Sequence, residues 1–489
     1  MITATYKGKY YDVEYSVVNV SELEGELRID AEYYDPFYLK QFSLFRNIKR
    51  IGELKEDIRY GLYIEPNYID KGINFIRALN LLNFWIEGEI VKIPSEKISK
   101  NYLLQTDDII IVRSGANTGS ACIVDPYFNG ATFGSYIIRV RLNKDLINPY
   151  YLTTFLNSKY GLLQSIRFKT GSSQLNLNIP NIESLKIPIP SNTFQKFIEK
   201  LILKAYEERK KAEKLYKQAE GILLEELELK NWKPKTKKIK IGGKEFEEEE
   251  NISIRTLSEV VKADRMDAEY WEPKYIEFEE VIRSYKKGYD YLPNLIKISK
   301  ETINIDLNDI YNYIELADIN PNLGVVNQTS QIIGKKLPTR ARMKVKRDYI
   351  IMSSVEGSID KIALIDFDKE NLVASTGFFV FKEKVLNKET ILVLLKLLAE
   401  KYLRREAQGT ILTAIPYNSL KRIILPKVDE NIQIQISQLI QQSLKARENS
   451  KKLLEVAKKA VEIAIEKNEK EALEYMKQET NYSDITVVN

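Results

Sequence analysis

Apolar and polar positions follow two regimes along this chain. Up to about residue 190 the apolar residues come in short runs, such as IIIV at 109–112 and YIIRVRL at 136–142, separated by Gly, Pro and Asn. That is the pattern of short strands in an α+β domain. From Thr193 to Lys230 the only interruption is Gly221, with no proline, in a stretch rich in Lys, Glu, Ala and Leu. It predicts one long helix, with Asn192 and Gln195 as the start signal just after a proline. Both regimes then return. Short β-rich runs such as DYIIM at 348–352 and GFFVF at 377–381 lead to a second run free of Gly and Pro, from about Asn431 to Lys470, with Asp429 and Glu430 at its start.

Each predicted helix carries a seven-residue repeat. In the first, Ile198, Ala205, Ala212 and Ala219 form one seam, and Leu201, Glu208, Leu215 and Ile222 the other. In the second, Ile436, Ser443, Ser450, Ala457 and Ala464 alternate with Leu439, Ala446, Leu453 and Ala460. Small residues on both seams allow close helix approach. A helix of about 35 residues is about 50 Å long, more than one small domain needs for its own cover. The expected arrangement is two antiparallel helices side by side as a coiled coil, one α+β domain at each end, related by an approximate twofold.

The return of both regimes is a duplication. RIDAEYYDPFY at 28–38 reappears as RMDAEYWEPKY at 265–275, with seven of eleven residues kept. INFIRALNL at 73–81 faces YNYIELADI at 311–319, and DDIIIVRSGANTGSACIVD at 107–125 faces RDYIIMSSVEGSIDKIALID at 347–366. The chain reads as one unit of about 237 residues written twice. The expected boundaries are a first domain at 1–190, a helix at 191–231, an exposed basic linker at 232–243, a second domain at 244–428, a helix at 429–475 and a tail at 476–489.

Composition narrows the chemistry. Among 489 residues there is no histidine and one cysteine, Cys122. A zinc site of ordinary ligand spacing and any Ser-His-Asp or Cys-His catalysis are therefore excluded. No cofactor is expected: there is no GxxxxGK[ST] phosphate cradle and no glycine-rich methyl-donor loop. The net charge of +5 permits a polyanionic partner without demanding one. No stretch reaches the roughly 18 consecutive apolar residues of a membrane span, and the opening residues lack the zones of a secretory signal, so the cytoplasm is the expected compartment.

The order domain, long helix, domain, long helix, with RSGANTG after a strand, GSSQLNLNIPNIESLKIPIP leading into the first helix and GTILTAIPYNSLKRIILP into the second, resembles the specificity subunit of type I restriction-modification systems. The resemblance spans nearly the whole chain, although SSVEGSIDK stands in the second copy where the first has RSGANTG. It implies two target recognition domains, each reading one half of a bipartite, non-palindromic site in double-stranded DNA, with the helices setting the spacer. It further implies a non-catalytic subunit that joins methyltransferase subunits, two of them, and restriction/translocase subunits. A stand-alone methyltransferase or nuclease, and a coiled-coil scaffold with no DNA role, are the alternatives.

Base readout needs side chains with paired donors or acceptors, and register needs contacts to phosphate. In the first copy the candidates are Tyr60, Tyr63, Arg77, Asn80, Arg113, Ser114, Asn117, Lys169, Ser172, Ser173 and Gln174. In the second they are Lys335, Lys336, Arg340, Arg342 and Lys344, read as one short loop, with Ser353, Ser354, Lys361, Arg404, Arg405, Gln408 and Thr410. Each has a plain alternative in an ion pair, a core position or a helix cap. The repeated Arg28, Asp30 and Glu32, with Arg265, Asp267 and Glu269, recur although the halves should read different bases. They are expected to serve partner docking rather than readout.

Overall fold

The computed structural model describes all residues except 1, 8–11, 25–27, 66, 83, 97, 116, 169–175, 242–243, 410, 412 and 481–489, and omits the side chains of 2–7, 12–13, 22, 238–241 and 244–247. The chain forms two compact units, residues 1–208 with 449–489, and residues 209–448. The fold is α+β, with two long helices, Asn192–Glu226 and Glu430–Glu466. Each unit takes one part of each helix.

In the first unit the strands Ala121–Ile123, Ile109–Val112, Ile137–Leu142 and Lys55–Tyr60 form an antiparallel sheet in that order. The run IIIV is apolar throughout because both of its faces are covered. Ile109 and Ile111 join a core with Tyr151, Leu152, Phe155 and the first long helix, while Ile110 and Val112 pack into another with Ile76, Leu81 and Phe133. A smaller sheet places Ile73–Ile76 between Thr132–Phe133, parallel, and Val91–Ile93, antiparallel.

The second unit repeats this plan. Lys297–Ser299, Phe378–Lys382, Ile350–Ser353 and Ile362–Leu364 stand in the equivalent order, extended by Val325–Val326 and Ile319–Asn320 to six strands. Its smaller sheet has Ile310–Ile314 between Leu372–Ser375, parallel, and Ser330–Ile333, antiparallel, plus a fourth strand, Ala341–Lys344. Asp107 and Asp348 turn the chain into equivalent strands with φ of 72° and 71°.

One seam of each helix is buried as the heptads predict, whereas Glu208, Leu215 and Ile222 of the first helix and Leu439, Leu453 and Ala464 of the second are only half-buried. Ile198, Ala205, Ala212 and Ala219 are buried, as are Ile436, Ser443, Ser450 and Ala457. In the first unit Ser450 Oγ donates to the Ala205 carbonyl, and in the second Ser443 Oγ donates to the Ala212 carbonyl, each at 2.7 Å. Within each unit the two helical segments run antiparallel. In the first, Ser191 beside the start of one helix bonds Glu469 beyond the end of the other. In the second, Tyr285 Oη donates to Glu226 and accepts from the Asp429 N–H.

The helix starts are fastened alike. Gln195 Oε1 accepts from the Asn148 N–H and Gln433 Oε1 from the Asn387 N–H, both at 2.9 Å. Their Nε2 groups donate to the carbonyls of Pro190 and Val428, both at 3.0 Å.

Two details differ from the sequence reading. The segment expected as a linker, 232–243, contains the strand Thr236–Ile241, paired with Lys244–Glu249 as Ile2–Lys7 is paired with Asp12–Val17 in the first unit. Alternating Lys and Ile beside a Glu-rich run favours a hairpin over free chain. The second helix also ends at Glu466, before the expected 475, because Asn468 caps a separate helix, Glu469–Thr480, by accepting from the Glu471 N–H at 2.9 Å.

Candidate nucleic-acid interface

One end of the first unit's main sheet gathers several expected residues. Tyr60 lies opposite Ile138 and Val112 opposite Ile137, so Tyr60, Arg113 and Tyr136 share that edge. The chain is sewn tightly there. The Gly61 N–H donates to Ile137 O at 3.0 Å and Leu62 N–H to Phe133 O at 2.8 Å. A Cβ on Gly61 would lie 2.2 Å from the Gly134 carbonyl oxygen, so only glycine allows this approach.

Tyr63 follows, 94% exposed. Ser114 bridges to Asn176, and Asn117 is exposed. Tyr136, also exposed, was missed by sequence reasoning; its only signal is an aromatic residue directly ahead of a buried strand.

Other candidates of the first unit stand differently. Arg77 donates to the Glu89 carbonyl at 3.0 Å. Asn80 is fully buried: its Oδ1 accepts from the Arg77 N–H at 3.0 Å, and its Nδ2 donates to the carbonyls of Glu87 and Glu89 at 2.9 and 3.0 Å. With its amide spent on backbone, Asn80 closes a turn instead of facing DNA. Lys169, Ser172, Ser173 and Gln174 lie outside the described residues.

In the second unit Lys335, Lys336, Arg340, Arg342 and Lys344 are all exposed. They do not form one loop. Lys335 and Lys336 sit on a 3-10 turn, Gly334–Lys336, and Arg342 and Lys344 on the strand Ala341–Lys344. Arg340 pairs with Glu315 at 3.3 Å, and Arg342 Nε donates to Thr339 O at 3.2 Å. Lys335, Lys336 and Lys344 form no ion pair among the described residues.

Ser353 is fully buried, its hydroxyl 2.9 Å from that of Ser358, and Ser354 Oγ donates to Gly377 O at 3.0 Å. Lys361 is half-buried against the Ile319 carbonyl. Arg404 is exposed and pairs with Glu356 and Glu400 at 3.0 and 2.8 Å. Gln408 is exposed, with backbone bonds to Ala414, and Thr410 lies outside the described residues.

Arg405 is buried and explains the repeated motif. Its guanidinium lies over Tyr270 at 4.8 Å and Arg265 over the same ring at 4.7 Å. In the first unit Tyr33 is held by Arg28 at 4.3 Å and Arg167 at 3.7 Å. Both tyrosines are buried.

Arg28 pairs with Asp30, Arg265 with Asp267, Arg167 with Glu24, and Arg405 with Glu279 and Glu406. The Arg28 and Arg265 hydrogen bonds hold Asp30 and Asp267 below the usual carboxylate range. Burial pushes Glu24 up, but Lys186 and Arg167 outweigh it and leave the carboxyl below its ordinary value.

Each clamp also ties remote stretches of backbone together. Arg167 ends the helix Lys159–Arg167 and donates to the Tyr33 carbonyl, while Arg265 donates to the carbonyls of Glu406 and Ala407 at 3.3 Å. Arg265 is thus a packing residue, contrary to the docking expectation; Glu32 and Glu269 remain exposed. In the second unit Arg265, Asp267, Glu269, Arg404, Arg405 and Gln408 line one cleft of about 1130 Å³. Among the described residues no group of His, Cys, Asp and Glu could hold a metal ion, and no helix is long and apolar enough to cross a membrane.

Residues 47–219 match the model of the family described as the type I restriction modification DNA specificity domain. The match covers the whole edge around Tyr60, Arg113 and Tyr136. No curated protein matches the chain.

Among solved structures, the S subunit of a type I restriction-modification system from M. genitalium is 13% identical, covering 86% of this chain and 96% of that one, with a TM-score of 0.39. The HsdS subunit from Thermoanaerobacter tengcongensis is 12% identical, covering 86% and 97%, with a TM-score of 0.28. Likenesses this distant place no residue.

Proposed function

We propose that this chain is the DNA-recognition subunit of a type I restriction-modification complex in the cytoplasm. In this reading each unit reads one half of a bipartite, non-palindromic target, and the long helices set the unread spacer. The observation that carries it is the match of residues 47–219 to the DNA specificity family, spanning the strand ends on which Tyr60 and Arg113 stand. The exposed cations of 335–344 support it, because free lysines on a sheet rim suit phosphate contacts.

Partners dock, in the same reading, on surfaces that the duplication repeats. Val20 and Ile29 are exposed in the first unit, and Leu257 and Met266, at the same positions of the repeat, are exposed in the second. Single exposed apolar residues are ordinary, but the same two positions exposed in both copies mark a shared surface. They suit one kind of partner taken twice, a methyltransferase subunit, with restriction/translocase subunits completing the complex.

The test purifies the chain with methyltransferase subunits and selects bound DNA from randomised duplexes at several salt concentrations. Two short enriched blocks separated by a gap of fixed length are expected, and lengthening both helices by a matched insertion should change that gap. Binding without base preference overturns the reading. The double variant Ile29→Glu with Met266→Glu should release both methyltransferase copies; retention of both removes the docking surface from the proposal.

A further inference from the structure

Arg113 stands apart from its neighbours. The other partly or fully buried arginines of the first unit, Arg28, Arg59, Arg77, Arg139, Arg141 and Arg167, each pair with a carboxylate. Arg113 has no ion pair, and its guanidinium donates no hydrogen bond among the described residues. Its Nε is buried without a partner, as are those of Arg77 and Arg139, but the guanidiniums of those two are bonded through their other nitrogens. A guanidinium with no acceptor at all leaves donors unsatisfied in the free protein, a cost relieved when an acceptor arrives.

The group is nonetheless held in place. The Arg113 N–H donates to Tyr136 O at 3.0 Å and its carbonyl accepts from the Leu177 N–H at 2.8 Å. The guanidinium lies 4.6 Å from the centre of the Tyr60 ring, and the Tyr60 hydroxyl accepts from the Ile179 N–H at 3.0 Å, which fixes the platform.

The second unit supplies an internal control. Ser354 occupies the same backbone niche: its N–H donates to Gly377 O at 2.9 Å and its carbonyl accepts from Ile415 N–H at 2.7 Å. Groups that serve the scaffold recur in both units, as Gln195 and Gln433 or Tyr33 and Tyr270 do. Arg113 does not recur, so it is not part of the shared scaffold.

We infer that Arg113, stacked on Tyr60, reads a guanine in the half-site of the first unit. A planar fork of N–H donors fits the paired acceptors O6 and N7 that guanine presents in the major groove, whereas adenine sets its N6 amino donor against the fork. The inference rests on the DNA reading above and adds the base and the residue that selects it.

The same selection from randomised duplexes, run on the complex with wild-type chain, Arg113→Ala and Arg113→Lys, tests it. The wild type should show one strongly preferred guanine in one block. Arg113→Ala should lose roughly 5- to 150-fold discrimination at that position, leaving the other block and the salt dependence unchanged. Arg113→Lys keeps the charge without the planar fork, so it should bind DNA yet fail to restore the preference.

Equal weakening on every sequence, with a salt slope shallower by about one, makes Arg113 a phosphate contact and overturns the inference. Unchanged preference in both variants overturns it too. If the wild-type complex selects no base at all, the DNA reading itself has failed, and this inference fails with it.

Discussion

The two units share a scaffold and differ at its rim, and the difference sorts the polar residues by task. Arg28, Asp30, Tyr33, Asn148, Arg167 and Gln195 of the first unit have counterparts in Arg265, Asp267, Tyr270, Asn387, Arg405 and Gln433, with equivalent contacts. At the sheet edge the likeness ends. The first unit has Arg113 stacked on Tyr60 where the second has Ser354, its hydroxyl already bonded. The second has a fourth strand, Ala341–Lys344, where the first has the 3-10 turn Lys100–Tyr102 ahead of its main strand. A duplicated protein thus provides its own comparison: what recurs holds the fold, and what departs is free to specialise.

The largest effect should come from the clamps. Arg405 serves two carboxylates, Glu279 and Glu406, and Arg167 serves one, Glu24. Arg405→Met should cost about 3–5 kcal/mol, as expected when one partner of a buried ion pair is removed, and Arg167→Met less. Amide hydrogen exchange should show each lesion confined to its own unit; loss of protection throughout the chain would break the description of two separate units.

Next come the helix seams. Ser450→Leu in the first unit and Ser443→Leu in the second should each cost about 1–3 kcal/mol by overpacking. The alanine variants, which lose only the bond to the facing carbonyl, should cost about 1 kcal/mol. Denaturant unfolding in which leucine is tolerated as well as alanine would mean that the helices do not approach closely.

The rim lysines sharpen the comparison on the DNA side. Replacing Lys335, Lys336 and Lys344 with glutamine should make the salt dependence of binding shallower by about 0.9 per contact while leaving the base preference of the first unit's block intact. An unchanged slope would remove them from the interface.

The last comparison separates the units by pH. Burial lowers Lys396 from its ordinary value of 10.5 to about 8. Its Nζ donates to the carbonyls of Pro321 and Asn322 and lies 4.4 Å from the Tyr216 ring. Between those two values the unfolded chain binds the extra proton, so this residue makes the second unit more stable as pH rises through the window. The stability difference between wild type and Lys396→Met, followed by unfolding from about pH 8 to pH 10, should move in favour of the wild type; a flat difference would show Lys396 already solvated.

The elements set by spacing were legible in the sequence. Ile198, Ala205, Ala212 and Ala219 are buried as their heptads require, and the repeat of 28–38 at 265–275 marks equivalent places in the two units. Periodicity does not say which polar side chains are taken inside, because their partners are remote in sequence. Arg167 meets Tyr33 across 134 residues, and Arg405 meets Glu279 across 126. Asn80, Ser353 and Arg405 therefore looked like surface groups, while Tyr136 carried no sign of exposure beyond its place at a strand start.

The division of the long helices also sets an order of birth. Residues 209–448 are contiguous, so that unit can close as it leaves the ribosome, whereas the core around Ile198 and Leu201 waits for Ala457 and Ala460. At about 5–20 residues per second the core begun in residues 1–208 stays open for tens of seconds, its apolar face bare until residues 449–476 arrive. Chaperone demand and early-stop damage should therefore fall on this split unit, which is begun before its neighbour and closed after it.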